Sequence, residues 1–264
     1  MKQNGSAIRT QHVQPRVFVL GAAIWCVLFA GGCPSTTEKS NQDKAEFHYQ
    51  LANNAFYAKN PMEAISELYR AIDFDARHRN SLHLLGFIYF GREEFTEAER
   101  YFRAALEVDP GFYEARANLG ALYLAGSRWQ EAIDVLMPLV EDKLYPTPHL
   151  VQNNIGYAYQ HLGKFEQAEK HYKIAVFLKP EMCLAHNNIG QLYAETGRID
   201  LAVRAFDRAI SRCPNYVDPY FHLGVIYNNS GQLDVARQSF QKCYELGPET
   251  PLGQKCSELG GISP

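Results

Sequence analysis

Two stretches, "LLGFIYFGREEFTEAERYFRAALEVDP" (84–110) and "NIGQLYAETGRIDLAVRAFDRAISRCP" (188–214), share one spaced pattern of small, aromatic and proline residues. The matching positions are Gly86, Tyr89, Ala98, Phe102, Ala105 and Pro110 in the first stretch, and Gly190, Tyr193, Ala202, Phe206, Ala209 and Pro214 in the second. Small and apolar residues three and four positions apart are typical of packed helix faces. A pattern that recurs at a fixed interval indicates stacked copies of one helical unit.

The pattern occurs in six consecutive repeats, each 34 residues long except for the third, which has 36. Their ranges are 45–78, 79–112, 113–148, 149–182, 183–216 and 217–250. They resemble tetratricopeptide repeats (TPRs), which implies an all-α, right-handed superhelix of six helix-turn-helix repeats, an α-solenoid. Residues 251–264 are predicted to form a short C-terminal cap and tail. The third repeat departs from the pattern, because Pro138 is expected to kink or shorten its second helix.

The N-terminus has the organisation of an export signal. Residues 1–16 carry basic but no acidic side chains, and residues 17–30 (VFVLGAAIWCVLFA) are apolar. Fourteen helical residues rise about 21 Å, less than the roughly 30 Å of a hydrocarbon core. We therefore predict a signal peptide, residues 1–32, rather than a spanning helix. The polar residues 33–44 are predicted to form a flexible tether.

The sequence "AGGC" (30–33) resembles the lipobox of bacterial lipoproteins. The resemblance implies that Cys33 is lipidated on its thiol and becomes the mature N-terminus. Pro34 follows the cysteine where inner-membrane lipoproteins of this family carry Asp, which implies an outer-membrane protein facing the periplasm. The alternative is a signal that is cut elsewhere, or a poor membrane anchor.

Four further cysteines lie in the last two repeats and the cap. An even number in an exported chain favours disulfides. Positions symmetric about a helical turn can meet, which favours Cys183–Cys213 and Cys243–Cys256. A Cys213–Cys243 bridge and free buried thiols remain alternatives. The cysteines and histidines lack metal-ligand spacing, so no metal site is predicted.

Composition and motifs argue against catalysis and nucleic-acid binding. The net charge of −3 gives no basic footprint for nucleic acid. No nucleophile elbow, zinc-protease or phosphate-loop motif occurs in the sequence. We predict no enzyme activity and no cofactor.

A repeat scaffold without chemistry is expected to bind another chain on its concave face, which first helices line. Two sets of residues are not needed for repeat packing. Tyr49, Asn53, Phe56, Phe87 and Phe90 predict a docking site for an amphipathic segment, unless the tether covers them. Asn118, Asn154 and Asn188 recur two positions before successive glycines and predict an amide ladder for a bound peptide. For this ladder, bonding between repeats or a solvated face is the alternative.

The lipobox, the repeats and the insertion "LYPTPHLVQNNIG" (144–156) together resemble the PilF/PilW/Tgl-type lipoproteins, which are type IV pilus pilotins. The resemblance implies a monomer that uses the groove of its early repeats to hold subunits of the pilus secretin while they assemble in the outer membrane. The alternative is an envelope adaptor that gathers peptidoglycan enzymes.

Overall fold

The computed structural model describes residues 36–262, which form thirteen α-helices and no β-strand. The helices are α1 Thr36–Tyr57, α2 Pro61–Phe74, α3 Arg79–Gly91, α4 Phe95–Val108, α5 Tyr113–Ala125, α6 Trp129–Glu141, α7 Pro148–His161, α8 Phe165–Leu178, α9 Cys183–Glu195, α10 Ile199–Arg212, α11 Val217–Asn229, α12 Leu233–Leu246 and α13 Pro251–Gly260. Each helix packs chiefly against its neighbours in the chain. The fold prediction is confirmed: six helix pairs form an all-α TPR superhelix, and α13 packs against α12 at its end.

The predicted signal peptide and the lipidation site Cys33 lie outside the described residues. From Thr36 to Ile262, no helix has the combination of length and hydropathy that crossing a membrane requires.

Residues 36–44 differ from their prediction, because they are helical rather than a flexible tether. α1 begins at Thr36 and runs without a break into the buried Ala45, Ala52 and Ala55. The sequence predicts a flexible tether because the segment is polar and has no large apolar side chain to bury. Its residues are indeed almost all exposed. Once packing has nucleated a helix, each further residue that joins it gains one backbone hydrogen bond. A polar stretch without Gly or Pro can therefore continue the helix. The first repeat is therefore joined to residue 36 by a continuous helix.

A glycine at the same position of repeats two to six lets the two helices of each repeat approach closely, and repeat one has Ala52 there. A Cβ atom added to Gly190 would lie 2.5 Å from the Phe206 ring, and one added to Gly156 would lie 2.7 Å from Tyr172. Phe206 and Tyr172 are fully buried and cannot move aside. The spacing of glycine and aromatic in the sequence is thus the spacing of a helix–helix contact.

Two polar clusters connect neighbouring repeats at equivalent positions. Tyr193 donates to Glu169 of the preceding repeat at 3.0 Å, and Arg198 donates to the same carboxylate at 2.7 Å. Burial opposes ionisation of Glu169, but hydrogen bonds from Lys173, Arg198 and Tyr193 lower its pKa to about 2. The same arrangement occurs two repeats earlier, where Glu99 accepts from Tyr123 and pairs with Arg128. These clusters occur between repeats two and three and between repeats four and five.

Two disulfides close the C-terminal repeats. Cys183 is bonded to Cys213 across repeat five, with Cα atoms 6.0 Å apart. Cys243 is bonded to Cys256, with Cα atoms 6.1 Å apart, and joins α12 to the cap α13. These are the two pairs that the sequence favours, and they leave no thiol for a Cys213–Cys243 bridge.

Pro138 lies inside α6, which continues past it to Glu141. The helix has 13 residues, whereas the other second helices have 14. The chain between α6 and α7, residues 142–147, carries the extra length of the third repeat.

Candidate partner-binding groove

A groove of about 650 Å³ opens on the concave face of repeats one to three. Its lining residues are Tyr49, Asn53, Phe56, Tyr57, His83, Leu84, Phe87, Tyr113, Glu114, Ala117, Asn118, Tyr145, Pro146 and Thr147. Five residues predicted to bind a partner are among them: Tyr49, Asn53, Phe56, Phe87 and Asn118. We call this surface the early groove.

Helical spacing places the aromatic side chains of the early groove on one surface. Tyr49, Asn53 and Phe56 follow one another at intervals of four and three residues on α1, so they share a face. The rings of Phe56 and Phe87 meet edge to face with centroids 5.8 Å apart. Phe87 remains 41% exposed and Tyr57 76% exposed. These rings offer apolar area that the fold itself does not bury.

The insertion of the third repeat forms one wall of the early groove. The hydroxyl of Tyr113 donates to the Asp142 carboxylate at 2.5 Å, which raises the pKa of Tyr113 and lowers that of Asp142. The Tyr113 ring also meets Tyr145 edge to face, with centroids 5.5 Å apart. Thr147 donates its hydroxyl to Tyr145 at 3.1 Å. The residues that lengthen the third repeat are therefore held against the groove.

His83 and Asn118 form a polar pair within the early groove. The Asn118 amide nitrogen lies 2.9 Å from His83 Nε2, so the amide donates and the neutral ring accepts. Burial lowers the pKa of His83, although the nearby Glu114 carboxylate acts in the opposite direction. The neutral ring is the form that this hydrogen bond requires.

We expect the free energy of unfolding to fall as the pH is lowered from about 7 to about 5. Burial lowers the pKa of His83, His171 and His222 in the folded chain. As the pH falls, the unfolded chain therefore binds protons at these histidines before the folded chain does, from about pH 6.5 downward. The stability is complete above that value and is lost as the pH falls through the lowered native values. Glu169 has a lowered pKa, so its protonation reduces the free energy of unfolding only in more acidic solution.

Urea denaturation at a series of pH values measures this dependence. Substituting Gln for each of the three histidines in turn should flatten it. A dependence that is equally steep in all three variants would contradict the assignment to buried histidines.

Three predicted partner residues do not line the early groove. Phe90 lies near the end of α3, where its ring is 6.0 Å from that of Phe95, centroid to centroid, and packs against the core cluster that contains Phe102 and Leu119. Asn188 is only 7% exposed and donates to Asn153 of the preceding repeat at 2.9 Å. Asn154 is half-buried and makes no side-chain hydrogen bond within residues 36–262. Bonding between repeats, the alternative interpretation of the ladder, thus describes Asn118 and Asn188.

Sequence reasoning missed several lining residues, notably His83, Tyr113, Glu114 and Tyr145. The repeat register contained a usable signal for His83. It lies three positions before the repeat glycine, as Tyr49 does before the equivalent Ala52 and as Ala117 does before Gly120. The wall residues Tyr145 to Thr147 correspond to residues 109–111 of the preceding repeat, but the connection that carries them is two residues longer than in the other repeats, so the register did not place them in the groove.

The residues from Thr36 to Ile262 contain no cluster of three His, Cys, Asp or Glu side chains placed to hold a metal ion. The early groove has the character of an apolar docking surface. Its side chains can make apolar contacts and hydrogen bonds with a bound molecule.

Comparisons with known proteins agree with this description. Three family models described as tetratricopeptide repeat match residues 89–144, 153–217 and 205–238. The chain is 24% identical over 158 residues to the type IV pilus assembly protein PilF of Pseudomonas aeruginosa, a match that covers 60% of this chain and 63% of that protein. The aligned part therefore spans less than two thirds of that relative.

Two solved structures share the fold over most of the chain. PilW, a widely conserved type IV pilus biogenesis factor, superposes with a TM-score of 0.71 at 21% identity, covering 80% of this chain and 97% of PilW. PilF of Pseudomonas aeruginosa superposes with a TM-score of 0.68 at 18% identity, covering 83% of this chain and 99% of PilF.

Proposed function

Starting from a chain that is a tetratricopeptide-repeat protein similar to type IV pilus assembly proteins, we propose that it is a lipid-anchored pilotin of the type IV pilus. In this role it holds subunits of the pilus secretin and promotes their multimer assembly in the outer membrane. The early groove, an apolar surface that the fold leaves uncovered, carries the proposal.

The shape and chemistry of the early groove support binding of a polypeptide segment. Its walls come from α1, α3, α5 and the 142–147 connection, and most of its lining is aromatic or aliphatic. Recognition of an amphipathic segment in an apolar groove uses such side chains as anchors. Binding of this kind needs no nucleotide or metal, since secretin oligomerisation would supply the free energy of assembly.

The position of α1 supports action at a membrane surface. α1 begins three residues after Cys33, the predicted lipidation site. Tyr49, the first groove residue along α1, lies thirteen residues further on, about 20 Å along a helix. A lipid on Cys33 would hold the early groove close to the outer membrane, where secretin subunits must insert.

Deletion of the gene tests the proposal. We expect the heat-resistant secretin multimer to disappear from cell envelopes while the secretin monomer remains, as judged by immunoblots of boiled and unboiled samples. The wild-type gene should restore the multimer, and a Cys33→Ala gene should restore much less because its product lacks the lipid.

Normal multimers in the outer membrane of the deletion strain would overturn the pilotin proposal. Altered cell shape with normal pili would then support the adaptor of peptidoglycan enzymes.

A further inference from the structure

The early groove has an uneven distribution of charge. Glu114 is the only Asp, Glu, Lys or Arg among its described lining residues. Its side chain is exposed and has no ion-pair partner within residues 36–262. The carboxylate is close enough to influence the protonation of His83 inside the groove. An unpaired anion therefore lies beside a surface that is otherwise apolar.

The other carboxylates near the early groove already have donors within the chain. Glu46 accepts from Gln50 at 3.0 Å and lies 3.2 Å from His78 Nε2. Asp142 accepts from the Tyr113 hydroxyl. Of these carboxylates, Glu114 is thus the one left to meet a cation from a bound molecule.

We propose that the early groove selects an apolar polypeptide segment that carries a Lys or Arg beside its anchor residues. The anchors lie against Phe56 and Phe87, and the cation pairs with Glu114. The inference rests on the proposed function in taking the early groove as the partner site. It adds the chemistry by which a segment is chosen, which apolar contact alone does not supply, because apolar contact is not directional.

A charge-swap experiment with two defined peptides tests this inference. Both peptides are fluorescein-labelled amphipathic helices with leucines at i, i+3, i+4 and i+7 on one face. One carries a single Lys beside the leucines, and the other carries Glu at the same position. Binding to the purified chain is followed by fluorescence anisotropy at low and at physiological ionic strength.

We expect the wild-type chain to bind the Lys peptide roughly five-fold more tightly than the Glu peptide, because a partly desolvated ion pair replaces a repulsion. In Glu114→Lys the order of preference should invert. The matched control is Glu107→Lys, which changes the net charge equally at an exposed residue of α4 outside the early groove. This control should keep the wild-type order, and Phe87→Ala should weaken both peptides alike.

Three results would overturn the inference: an unchanged order in Glu114→Lys, an inverted order in Glu107→Lys, or binding of a fluorescent fatty acid while neither peptide binds. The last result would assign the groove to a lipid chain. These outcomes are separate from the fate of the proposed function. If the chain selects the Lys peptide but the deletion strain keeps its multimers, only the pilotin role is contradicted. If the multimers are lost but the chain does not distinguish the peptides, only the charge selection is contradicted.

Discussion

The double variant Phe56→Ala/Phe87→Ala is expected to reduce the heat-resistant secretin multimer to the level of the deletion strain. The two rings touch within the early groove, and Phe87 is already 41% exposed, so their free area is available to a partner. Truncating an aromatic anchor at the centre of an interface costs about 2 kcal/mol or more, which is roughly 30-fold in affinity. Because the rings contact each other, the two losses need not add, and we expect at least about 30-fold for the pair.

Stability must be separated from binding in this experiment. Phe56 packs against the core of the first repeats, so its truncation also destabilises them. Phe87→Ala alone removes a more exposed ring and should keep the unfolding transition near that of the wild type. The matched control is Phe177→Ala, which removes a phenylalanine of α8 that is 83% exposed and remote in sequence from the groove. Normal multimers in a Phe56→Ala/Phe87→Ala strain with wild-type protein abundance would contradict a role for the early groove.

The repeat register explains why so much of the fold could be predicted. Each Gly and aromatic pair, such as Gly190 and Phe206, is a local contact between consecutive helices. Its spacing in the sequence therefore translates directly into packing. The disulfide pairs follow from the same symmetry of antiparallel helices. The register also explains why five of the eight predicted partner residues line the early groove.

Features that connect one repeat to another were not predictable in this way. The Glu169, Tyr193 and Arg198 cluster depends on how far successive repeats rotate, a quantity that the spacing within one repeat does not contain. Asn188 illustrates the same limit, because its partner Asn153 is 35 residues away in the preceding repeat. The Tyr113–Asp142 hydrogen bond holds an insertion that occurs only once, so no repeated pattern could reveal it.

Loss of the two disulfides is expected to lower the stability of the C-terminal repeats while the stability of the early groove is kept. Cys243 and Cys256 are separated by 13 residues, and Cys183 and Cys213 by 30. In the chain-entropy description, such links stabilise by about 3 and about 3.5 kcal/mol. Their combined effect is comparable with the whole stability of many domains, about 5–15 kcal/mol. In a solenoid each repeat is stabilised mainly by its neighbours, so the loss stays near repeats five and six.

Two optical signals can locate this loss along the chain. Trp129 at the start of α6 is the only tryptophan within residues 36–262, and it stacks on His161 with ring centroids 4.3 Å apart. Its fluorescence reports on repeats three and four, whereas far-ultraviolet circular dichroism reports on all helices. In the variant with Ala at positions 183, 213, 243 and 256, urea should reduce the dichroism well before it changes the fluorescence. The oxidised wild type should show transitions that lie closer together.

Reduction of the wild-type chain provides the matched control, because it breaks the same two disulfides without substituting any residue. A thiol reductant should separate the two transitions of the wild type and leave the four-alanine variant unaffected. If mass spectrometry verifies complete reduction and the dichroism transition does not move, the disulfides do not stabilise these repeats. If both signals shift together, repeats three to six unfold as one cooperative unit, and the early groove depends on bridges far from it in the chain.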